Sequence, residues 1–275
     1  MEIGPEGASP PSLSVVIPTL NEASCLAGCV ALARERVSPG EPPPEILVAD
    51  CGSTDGTPDI AKRLGTILVT ADPPLASRAA ALNAGAREAR AGVLLFLHAD
   101  SEVPPGYDAE IRRLLARPRV VGGAFEFRLD GRHPGLRVVE LVNRTRYRIW
   151  KRYYGDQGIF CTRTAFDRVG GFPDQPILED SEFCRRLGRT GRLALSRRAM
   201  VTSSCRFIEG GVARVFARDV RIWWSELRGR PTACFAEDYR RDNLSRAERS
   251  TSRTTQTSSR ESIRSMDQDE GRSYT

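Results

Sequence analysis

Carboxylate, hydroxyl and imidazole groups directly follow three apolar segments of this 275-residue sequence. The first group is Pro18, Thr19, Asn21 and Glu22 after LSVVI, the second runs from Asp50 to Thr57 after EILVA, and the third is His98-Ala99-Asp100 after VLLFL. Oxygen and imidazole ligands of this kind suit divalent cations. Each group alone also fits an ordinary turn or helix cap, since Asp, Asn and Ser favour such positions. Together they predict a polar binding site.

The apolar segments themselves predict a parallel sheet. Strands are expected at LSVVIP, EILVAD, TILVT and VLLFL, with helices between them over 21–36, from a Thr57 cap with Pro58 at the first helical position, and over 77–90. Strands that alternate with helices form βαβ units, and the carboxyl ends of parallel strands meet at one edge of the sheet. The predicted fold class is therefore α/β, with the three polar groups at that edge.

The second half of the chain has a less regular pattern. Helices are predicted up to Arg117, over 134–152, from a Thr162 cap to Gly170, and after LED as far as 188–191, with one strand at VVGGAFEFRL. We expect this part to be an α+β extension that closes over the sheet. Residues 1–12 and the Ser/Thr/Arg-rich residues 240–275 contain few large apolar side chains, so we expect a disordered leader and a disordered tail.

Composition narrows the class of protein. With 40% hydrophobic residues the chain can bury a core without disulfides, and its seven scattered cysteines are expected to be reduced core residues.

No apolar run reaches the roughly 18 to 20 residues of a membrane span, and the N-terminus lacks a signal-peptide pattern. The net charge of +6 is spread along the chain, which suits phosphorylated small molecules or an anionic membrane face, and no nucleic acid is expected as a partner. We expect a cytoplasmic protein, with association to the inner face of the membrane as an open alternative.

A glycine-rich phosphate loop is missing from the first strand–helix junction. That junction reads PTLNEAS, where a dinucleotide fold requires G-x-G-x-x-G, and the sequence also has no P-loop. A bound diphosphate would therefore need a cation to balance its charge. A strand that ends in His-x-Asp offers oxygen and imidazole groups to such a divalent metal.

Four motifs resemble the family 2 glycosyltransferases, which have the GT-A fold: SVVIPTLNE, LVADCGSTDGT, LLFLHADSEVPP and ILEDSEFCRRL. The resemblance runs in order over residues 13–230. It is closest to the subgroup with DGGSTDGT, RAxxxNxGA and FLHAD, whose middle element matches Arg78 and residues 83–86. It implies a mostly parallel central sheet flanked by helices, with a nucleotide-binding half at 13–106 and an acceptor half at 107–230 that ends in an amphipathic helix.

The resemblance also implies a nucleotide site. Pro18, Thr19, Asn21 and Glu22 would line the base and ribose, Asp50 would bond to the base, expected to be uracil, with Ser53 nearby, and Arg78 and Asn83 would approach the nucleotide or its phosphates. His98 and Asp100 stand at the DxD positions, where Asp100 would bind Mg²⁺ or Mn²⁺ between the two phosphates. Two residues depart from the family pattern: Cys51 replaces an Asp or Gly, and His98 replaces the first Asp. Imidazole is a weaker partner for a cation than carboxylate, so His98 is expected to bind the metal or ribose, or to orient a water.

Asp180 would be the catalytic base in this resemblance, supported by Glu179. As an ordinary structural residue Asp180 would cap a helix, where the dipole keeps it ionised and makes it a weaker base. Burial or the neighbouring Glu179 would have to raise its pKa again. Asp156 and Gln157 in GDQGIF are expected to contact the donor sugar or the acceptor, with a simple turn as the alternative.

The function implied by the resemblance is an inverting glycosyltransferase of the hexosyltransferase type. It would move a sugar from a nucleoside diphosphate, expected to be UDP, to a hydroxyl of a carbohydrate or lipid-linked acceptor. A metal would stabilise the leaving group and Asp180 would take the proton. Two alternatives stay open: a nucleotidyltransferase that makes sugar nucleotides, and a non-catalytic nucleotide-sugar-binding protein in which His98 marks lost catalysis.

The last helical pattern, over 211–228, bears on the acceptor. Its apolar residues (Val212, Val215, Phe216, Val220, Trp223, Trp224 and Leu227) follow helical spacing, and Arg214, Arg218, Arg221 and Arg228 lie mostly on another face. Such a helix either packs on the domain or lies in a membrane interface, where it would bring a lipid-linked acceptor to the site.

Overall fold

The structure, a computed structural model, describes residues 12–70, 75, 77–230 and 233–236. The expected tail at 240–275, and the expected leader at 1–12 apart from Ser12, lie outside the described residues.

An eight-stranded mixed sheet forms the centre of the fold. Its strands are β1 (Ser14–Thr19), β2 (Glu45–Asp50), β3 (Ile67–Val69), β4 (Val93–Phe96), β5 (Ser101–Glu102), β6 (Val120–Leu129), β7 (Ile159–Thr162) and β8 (Arg192–Thr202). The spatial order is β3-β2-β1-β4-β7-β6-β8-β5. The first four strands pair in parallel, as do β6 and β8, whereas β7 is antiparallel to both β4 and β6. The predicted α/β class is correct, and one sheet runs through both predicted halves.

Helices cover this sheet in the described residues. They are α1 (Leu26–Glu35), α2 (Thr57–Arg63), α3 (Arg78–Glu88), α4 (Tyr107–Leu115), α5 (Pro134–Trp150), α6 (Arg163–Val169), α7 (Glu179–Thr190), α8 (Cys205–Gly210) and α9 (Val212–Leu227), with 3₁₀ turns at Gly155–Gln157 and Ala233–Phe235. Successive β1 side chains alternate between two hydrophobic clusters, with Val16 in one and Val15 and Ile17 in the other. The sheet is therefore buried on both faces, as its apolar strands predicted.

Close packing of α3 on β1 depends on one glycine. A Cβ on Gly85 would lie 2.5 Å from Val16 Cγ1. Because real side chains do not approach that closely, only glycine lets the helix lie this near the strand. This contact sets how closely α3, the helix that begins with Arg78, lies against β1.

Several predicted details need correction. Thr57 is not a helix cap: α2 begins at Thr57, and its hydroxyl instead donates to Asp55 Oδ1 at 2.5 Å. The strands β5, β7 and β8 were not predicted; in β8, Arg197 and Arg198 interrupt the apolar alternation. The expected core role of the cysteines holds for Cys29, Cys161 and Cys184, whereas Cys205 and Cys234 are exposed. No helix among the described residues has the length and apolar character that crossing a membrane requires.

Candidate active site

The loops after β1 and β2 are joined through Asp50. Its Oδ1 accepts from Thr19 Oγ1 at 2.9 Å and from Ser53 Oγ at 2.5 Å, and its Oδ2 accepts from the amides of Gly52 and Ser53 at 2.9 and 2.8 Å. A carboxylate has about four acceptor sites, so these bonds occupy the group. In this structure Asp50 shapes the rim of the site. A bond from Asp50 to a nucleotide base stays a prediction.

The remaining residues of these two loops complete the rim. Asn21 has a left-handed φ of 58°. Its backbone amide donates to Ser53 Oγ at 2.8 Å, and its side-chain Oδ1 accepts from the backbone amide of Thr54 at 2.8 Å. The Glu22 amide donates to Thr57 Oγ1 at 2.9 Å, whereas Pro18 is buried within β1. The predicted residues thus meet at one edge of the sheet. Whether they line a base and ribose is not tested by these contacts.

Arg78 brings together the end of β4 and the start of α7. Ser77 caps α3 by accepting from the Ala80 amide at 3.1 Å, which fixes Arg78 in the first turn. Arg78 Nε donates to Glu179 Oε1, and Nη2 lies 3.8 Å from Asp180 Oδ2. Its Nη1 lies 3.4 Å from His98 Nε2. A guanidinium only donates, so this contact is a hydrogen bond in the His98 tautomer whose Nε2 carries no proton.

Gly155 lies between His98 and Asp180 and contacts both residues. Its amide donates to Asp180 Oδ2 at 2.7 Å. A Cβ at this position would overlap with His98 Nε2, so the imidazole packs directly on the Gly155 backbone. The predicted residues Arg78, His98, Glu179 and Asp180 therefore form one cluster at the carboxyl edge of the parallel strands.

Asp180 is a buried carboxylate that accepts hydrogen bonds from two backbone amides. It is 5% exposed, and the Ser181 amide donates to its Oδ1 at 2.7 Å. Burial, followed by the charge of Glu179, raises the pKa of Asp180 to about 7, although Arg78 and the amides of Gly155 and Ser181 act in the opposite direction. α7 begins at Glu179, after Leu178 with a left-handed φ of 63°, so Asp180 is not the helix cap. Burial and the charge of Glu179 are the two causes that the sequence analysis named for a raised pKa, and both act on Asp180.

Asp156 and Gln157 lie on the same turn but differ in their surroundings. Gln157 is buried, with Nε2 donating to the Phe125 carbonyl at 3.0 Å and Oε1 accepting from the Tyr154 amide at 3.2 Å. These bonds occupy its side chain within the protein. Burial raises the pKa of Asp156 to about 6, with Asp100 also raising it, whereas Arg146, Arg206 and Arg78 lower it. The predicted contact of these residues with a sugar or acceptor stays a prediction.

Asp100 lies at the edge between β4 and β5 and is within electrostatic reach of Asp156. Its carbonyl accepts from the Ser203 amide at 3.1 Å. Among the described residues there is no group of three or more His, Cys, Asp or Glu side chains arranged to hold a metal ion. His98 Nε2 is directed at Arg78, which competes with its predicted metal role. The arrangement fits a metal that takes one carboxylate from the protein and its other ligands from phosphate oxygens, as Mg²⁺ commonly does.

Asn83 anchors a turn beside this cluster. Its Nδ2 donates to the Phe172 carbonyl at 2.9 Å, and its Oδ1 accepts from the Phe172 amide at 2.8 Å. Both polar atoms thus bind the backbone after α6. The predicted approach of Asn83 to a nucleotide stays a prediction.

Comparison with known families agrees with this geometry. The model of the family described as Glycosyl transferase family 2 matches residues 14–172, which is more than half of the chain. The chain belongs to glycosyl transferase family 2. The match ends before Asp180, so the proposed role of that residue depends on the contacts described above. The predicted motif subgroup is not tested by this match.

Curated relatives of this family 2 chain align over shorter stretches. The succinoglycan biosynthesis protein ExoA of Rhizobium meliloti (strain 1021) is 36% identical over 98 residues, which is 34% of this chain and 29% of that protein. The low-salt glycan biosynthesis hexosyltransferase Agl6 of Haloferax volcanii is 42% identical over 62 residues, 22% of this chain and 15% of that protein. The chain therefore spans less than a third of the length of these two relatives.

Solved structures show the same fold. A mannosyltransferase from Pyrobaculum calidifontis, in complex with GDP-Man and Mn²⁺, has a TM-score of 0.54 at 22% identity, over 74% of this chain and 59% of that chain. Glucosyl-3-phosphoglycerate synthase from Mycobacterium tuberculosis, in complex with Mn²⁺, UDP and glucosyl-3-phosphoglycerate, has a TM-score of 0.56 at 20% identity, over 80% of this chain and 81% of that chain. At these identities the likeness establishes the GT-A fold alone, which the sequence predicted.

The site of this family 2 protein includes residues that the sequence analysis missed. Gly155 and Ser181 supply the two amides at Asp180, and Glu226 of α9 contacts Ser181, Tyr154 and Arg152. Gly155 stands beside the noted Asp156 in GDQG, so that motif was the available signal. Glu226 lies 45 positions from Ser181, and no local pattern links the two residues.

Proposed function

We propose that this family 2 protein is an inverting glycosyltransferase that uses Asp180 as its general base. The observation that carries the proposal is the buried Asp180 carboxylate, held by two backbone amides beside Arg78 and Glu179. A general base works best when its pKa lies near the working pH, and the pKa of Asp180 is raised to about 7 by burial and by Glu179.

The proposed reaction is a single displacement. The acceptor hydroxyl attacks the anomeric carbon of the donor sugar, its proton passes to a carboxylate oxygen of Asp180, and the bond from that carbon to the diphosphate breaks. Inversion follows because the base and the leaving group lie on opposite faces of the sugar. The Gly155 and Ser181 amides orient the Asp180 carboxylate for this proton transfer.

We propose UDP as the carrier of the donor sugar, bound against the rim formed by the β1 and β2 loops. Solved neighbours support a nucleoside diphosphate: their complexes contain GDP-Man in one case and UDP in another. The rim residues Thr19, Asn21 and Ser53 are held in place by the Asp50 network, which favours a site formed before the ligand arrives.

A divalent metal, Mg²⁺ or Mn²⁺, is part of the proposal because both of those neighbours were solved with Mn²⁺. When bound, it would neutralise charge on the departing diphosphate. Asp100 would hold it as a carboxylate ligand. His98, packed between Arg78 and Gly155, would instead keep Arg78 directed at the carboxylates of α7.

Replacement of Asp180 tests the function most directly. The assay follows release of UDP or GDP from UDP-glucose, UDP-galactose, UDP-GlcNAc and GDP-mannose, with octyl glucoside or octyl galactoside as the acceptor probe. Asp180→Asn should retain binding of the active sugar nucleotide and lower kcat by about 10² to 10⁴. Equal turnover in variant and parent would reject Asp180 as the base. A parent that binds sugar nucleotides and never turns one over would support the non-catalytic alternative, and release of inorganic diphosphate from UTP and a sugar phosphate would support the nucleotidyltransferase.

The acceptor side offers a surface that suits a lipid-linked substrate. Of the predicted apolar face of α9, Val215 is buried, Val212 and Phe216 are partly buried against the core, and Trp224 is exposed. Ile222, which was not assigned to that face, is also buried. The large exposed apolar residues of α5 and α9 are 43% to 62% exposed, and we call them the tryptophan patch: Val138, Leu141, Ile149 and Trp150 of α5 and Trp224 of α9. Trp150 packs against Trp223 at 5.4 Å between ring centroids, which joins the two helices.

Basic side chains flank the tryptophan patch. Arg137, Arg144 and Arg148 are paired with the largely buried Glu140 and Glu126, yet their side chains remain 43% to 54% exposed. Residues 134–152 contain six Arg or Lys against one Glu. Helical spacing places the aliphatic residues Val138, Leu141 and Ile149 on one face of α5, beside its exposed arginines. Exposed apolar and Arg side chains in this arrangement favour the interface of an anionic bilayer. We propose that the peripheral membrane contact first expected at 211–228 is made by the tryptophan patch, with α5 as its larger part.

A further inference from the structure

Glu226 connects α9 to the catalytic cluster through three side chains. Its Oε1 accepts from Ser181 Oγ and from Arg152 Nη1, the latter at 3.0 Å, and its Oε2 accepts from the Tyr154 hydroxyl at 3.4 Å. The Glu226 side chain is 15% exposed. A Glu in the last turn of a helix is disfavoured by the helix dipole, so helix stability does not explain this residue.

Two of these contacts lead to the amides that hold Asp180. Ser181 donates its hydroxyl to Glu226 and its own amide to Asp180 Oδ1. Tyr154 donates its hydroxyl to Glu226 and directly precedes Gly155, whose amide donates to Asp180 Oδ2. One carboxylate on α9 therefore restrains the segments that supply both amides.

Tyr154 is held from its other side as well. The guanidinium of Arg146 lies 3.8 Å from the centroid of the Tyr154 ring, and Arg146 is 5% exposed. A ring fixed by a cation on its face and a carboxylate at its hydroxyl has little freedom to rotate. The backbone of the adjacent Gly155 is thus restrained at the point where it contacts His98 and Asp180.

We propose that Glu226 is a positioning residue, which orients the Asp180 carboxylate by fixing Ser181 and Tyr154. This inference rests on the proposed function of Asp180 as the base. Glu226 acts through the two amides, and its contacts with Arg152, Tyr154 and Ser181 involve no residue of the rim formed by the β1 and β2 loops. Its loss should therefore slow the chemical step and leave donor binding unchanged.

Kinetics of Glu226→Gln test this inference, because Gln keeps the size of the side chain and removes its charge. We expect kcat to fall about 10- to 100-fold, as for a small misplacement of a catalytic group. The KM for the sugar nucleotide should stay within about twofold of the parent. Ser181→Ala should also lower kcat, and the double variant should be no slower than Glu226→Gln alone, because Glu226→Gln already weakens the contact that Ser181→Ala removes.

Arg221→Gln is the matched control, since Arg221 is exposed on the same helix. It should match the parent in kcat and KM. An active parent with an unchanged kcat in Glu226→Gln overturns the inference and leaves the proposed function intact. A rise in KM that parallels a lower melting temperature also overturns it, because general loosening of α9 would then explain the loss. A parent that turns over none of the sugar nucleotides overturns the proposed function and this inference together.

Discussion

The amide of Gly155 and the carboxylate of Asp180, 25 positions apart, are joined by a hydrogen bond of 2.7 Å. The same glycine packs against His98, which in turn lies 3.4 Å from Arg78. The backbone at residue 155 therefore sets the distance between the end of β4 and the first turn of α7. A small change at this position should disturb the base without removing any polar group.

Gly155→Ala tests that relationship. The added methyl would overlap with His98 Nε2, so either the imidazole or the Gly155 backbone must shift. We expect kcat to fall about 10- to 100-fold through misplacement of Asp180. Gly92→Ala is the control, because a Cβ there meets nothing within 4 Å, and it should behave as the parent. Steady-state kinetics of both variants check this, and equal activities would contradict the role given to Gly155.

The pH dependence of turnover should follow the ionisation of Asp180. Burial and Glu179 raise the pKa of this group to about 7, and only its ionised form accepts a proton. The ratio kcat/KM, which reports the pKa of the free enzyme, should therefore rise about tenfold per pH unit below that value and level off above it. Glu179→Gln removes a negative neighbour, which should lower the pKa of Asp180 and move the acid limb to lower pH. An acid limb that moves to higher pH, or one at the same pH, would contradict the assigned cause.

Asp100 should govern the response to metal. Asp100→Asn keeps the shape of the side chain and removes a charged ligand, so Mn²⁺ should add less to the thermal stabilisation of the protein by UDP. Stabilisation by UDP without metal should be unchanged. Glu102→Gln is the control, since this carboxylate is 46% exposed in a surface pair with Arg36. Melting curves with Mn²⁺ or with a chelator measure the effect, and a metal response lost in His98→Ala but kept in Asp100→Asn would reverse the assignment.

Much of the fold could be predicted because its first hundred residues have clear local signals. The apolar strands β1, β2 and β4 lie where the pattern placed them, since burial on both faces leaves little choice of side chain, and α3 lies within the helix predicted over 77–90. The strand β8 could not be predicted in this way. Its pairing with β6 tolerates Arg197 and Arg198 at exposed positions, and only the assembled sheet reveals this.

The site shows the same limit at the level of single residues. Motifs indicated Arg78, His98 and Asp180, and these residues do lie together, because the strand ends bring them to one edge. Sequence alone did not reveal that the side chains of Asp50 and Asn83 form hydrogen bonds with neighbouring loops and strands of the protein. Hydrogen-bond partners depend on the three-dimensional course of the backbone, which motif spacing does not contain.

The tryptophan patch should bind anionic membranes. Leu141 and Ile149 are 61% and 62% exposed, and burial of such a side chain in a bilayer contributes about 1.5 to 3 kcal/mol. Flotation with phosphatidylglycerol-containing vesicles should recover the parent, whereas Leu141→Ser with Ile149→Ser should reduce binding at least about tenfold. Vesicles of phosphatidylcholine alone should bind the parent less, because they offer no anionic headgroups to the exposed arginines beside the patch. The control is Ile67→Ser, a change at an exposed apolar residue on β3 outside the patch (38% exposed), which should leave flotation unchanged. Equal flotation of the double variant and the parent would reject membrane contact through the patch, and a parent dimer that the double variant dissociates would assign the surface to a second copy of the chain.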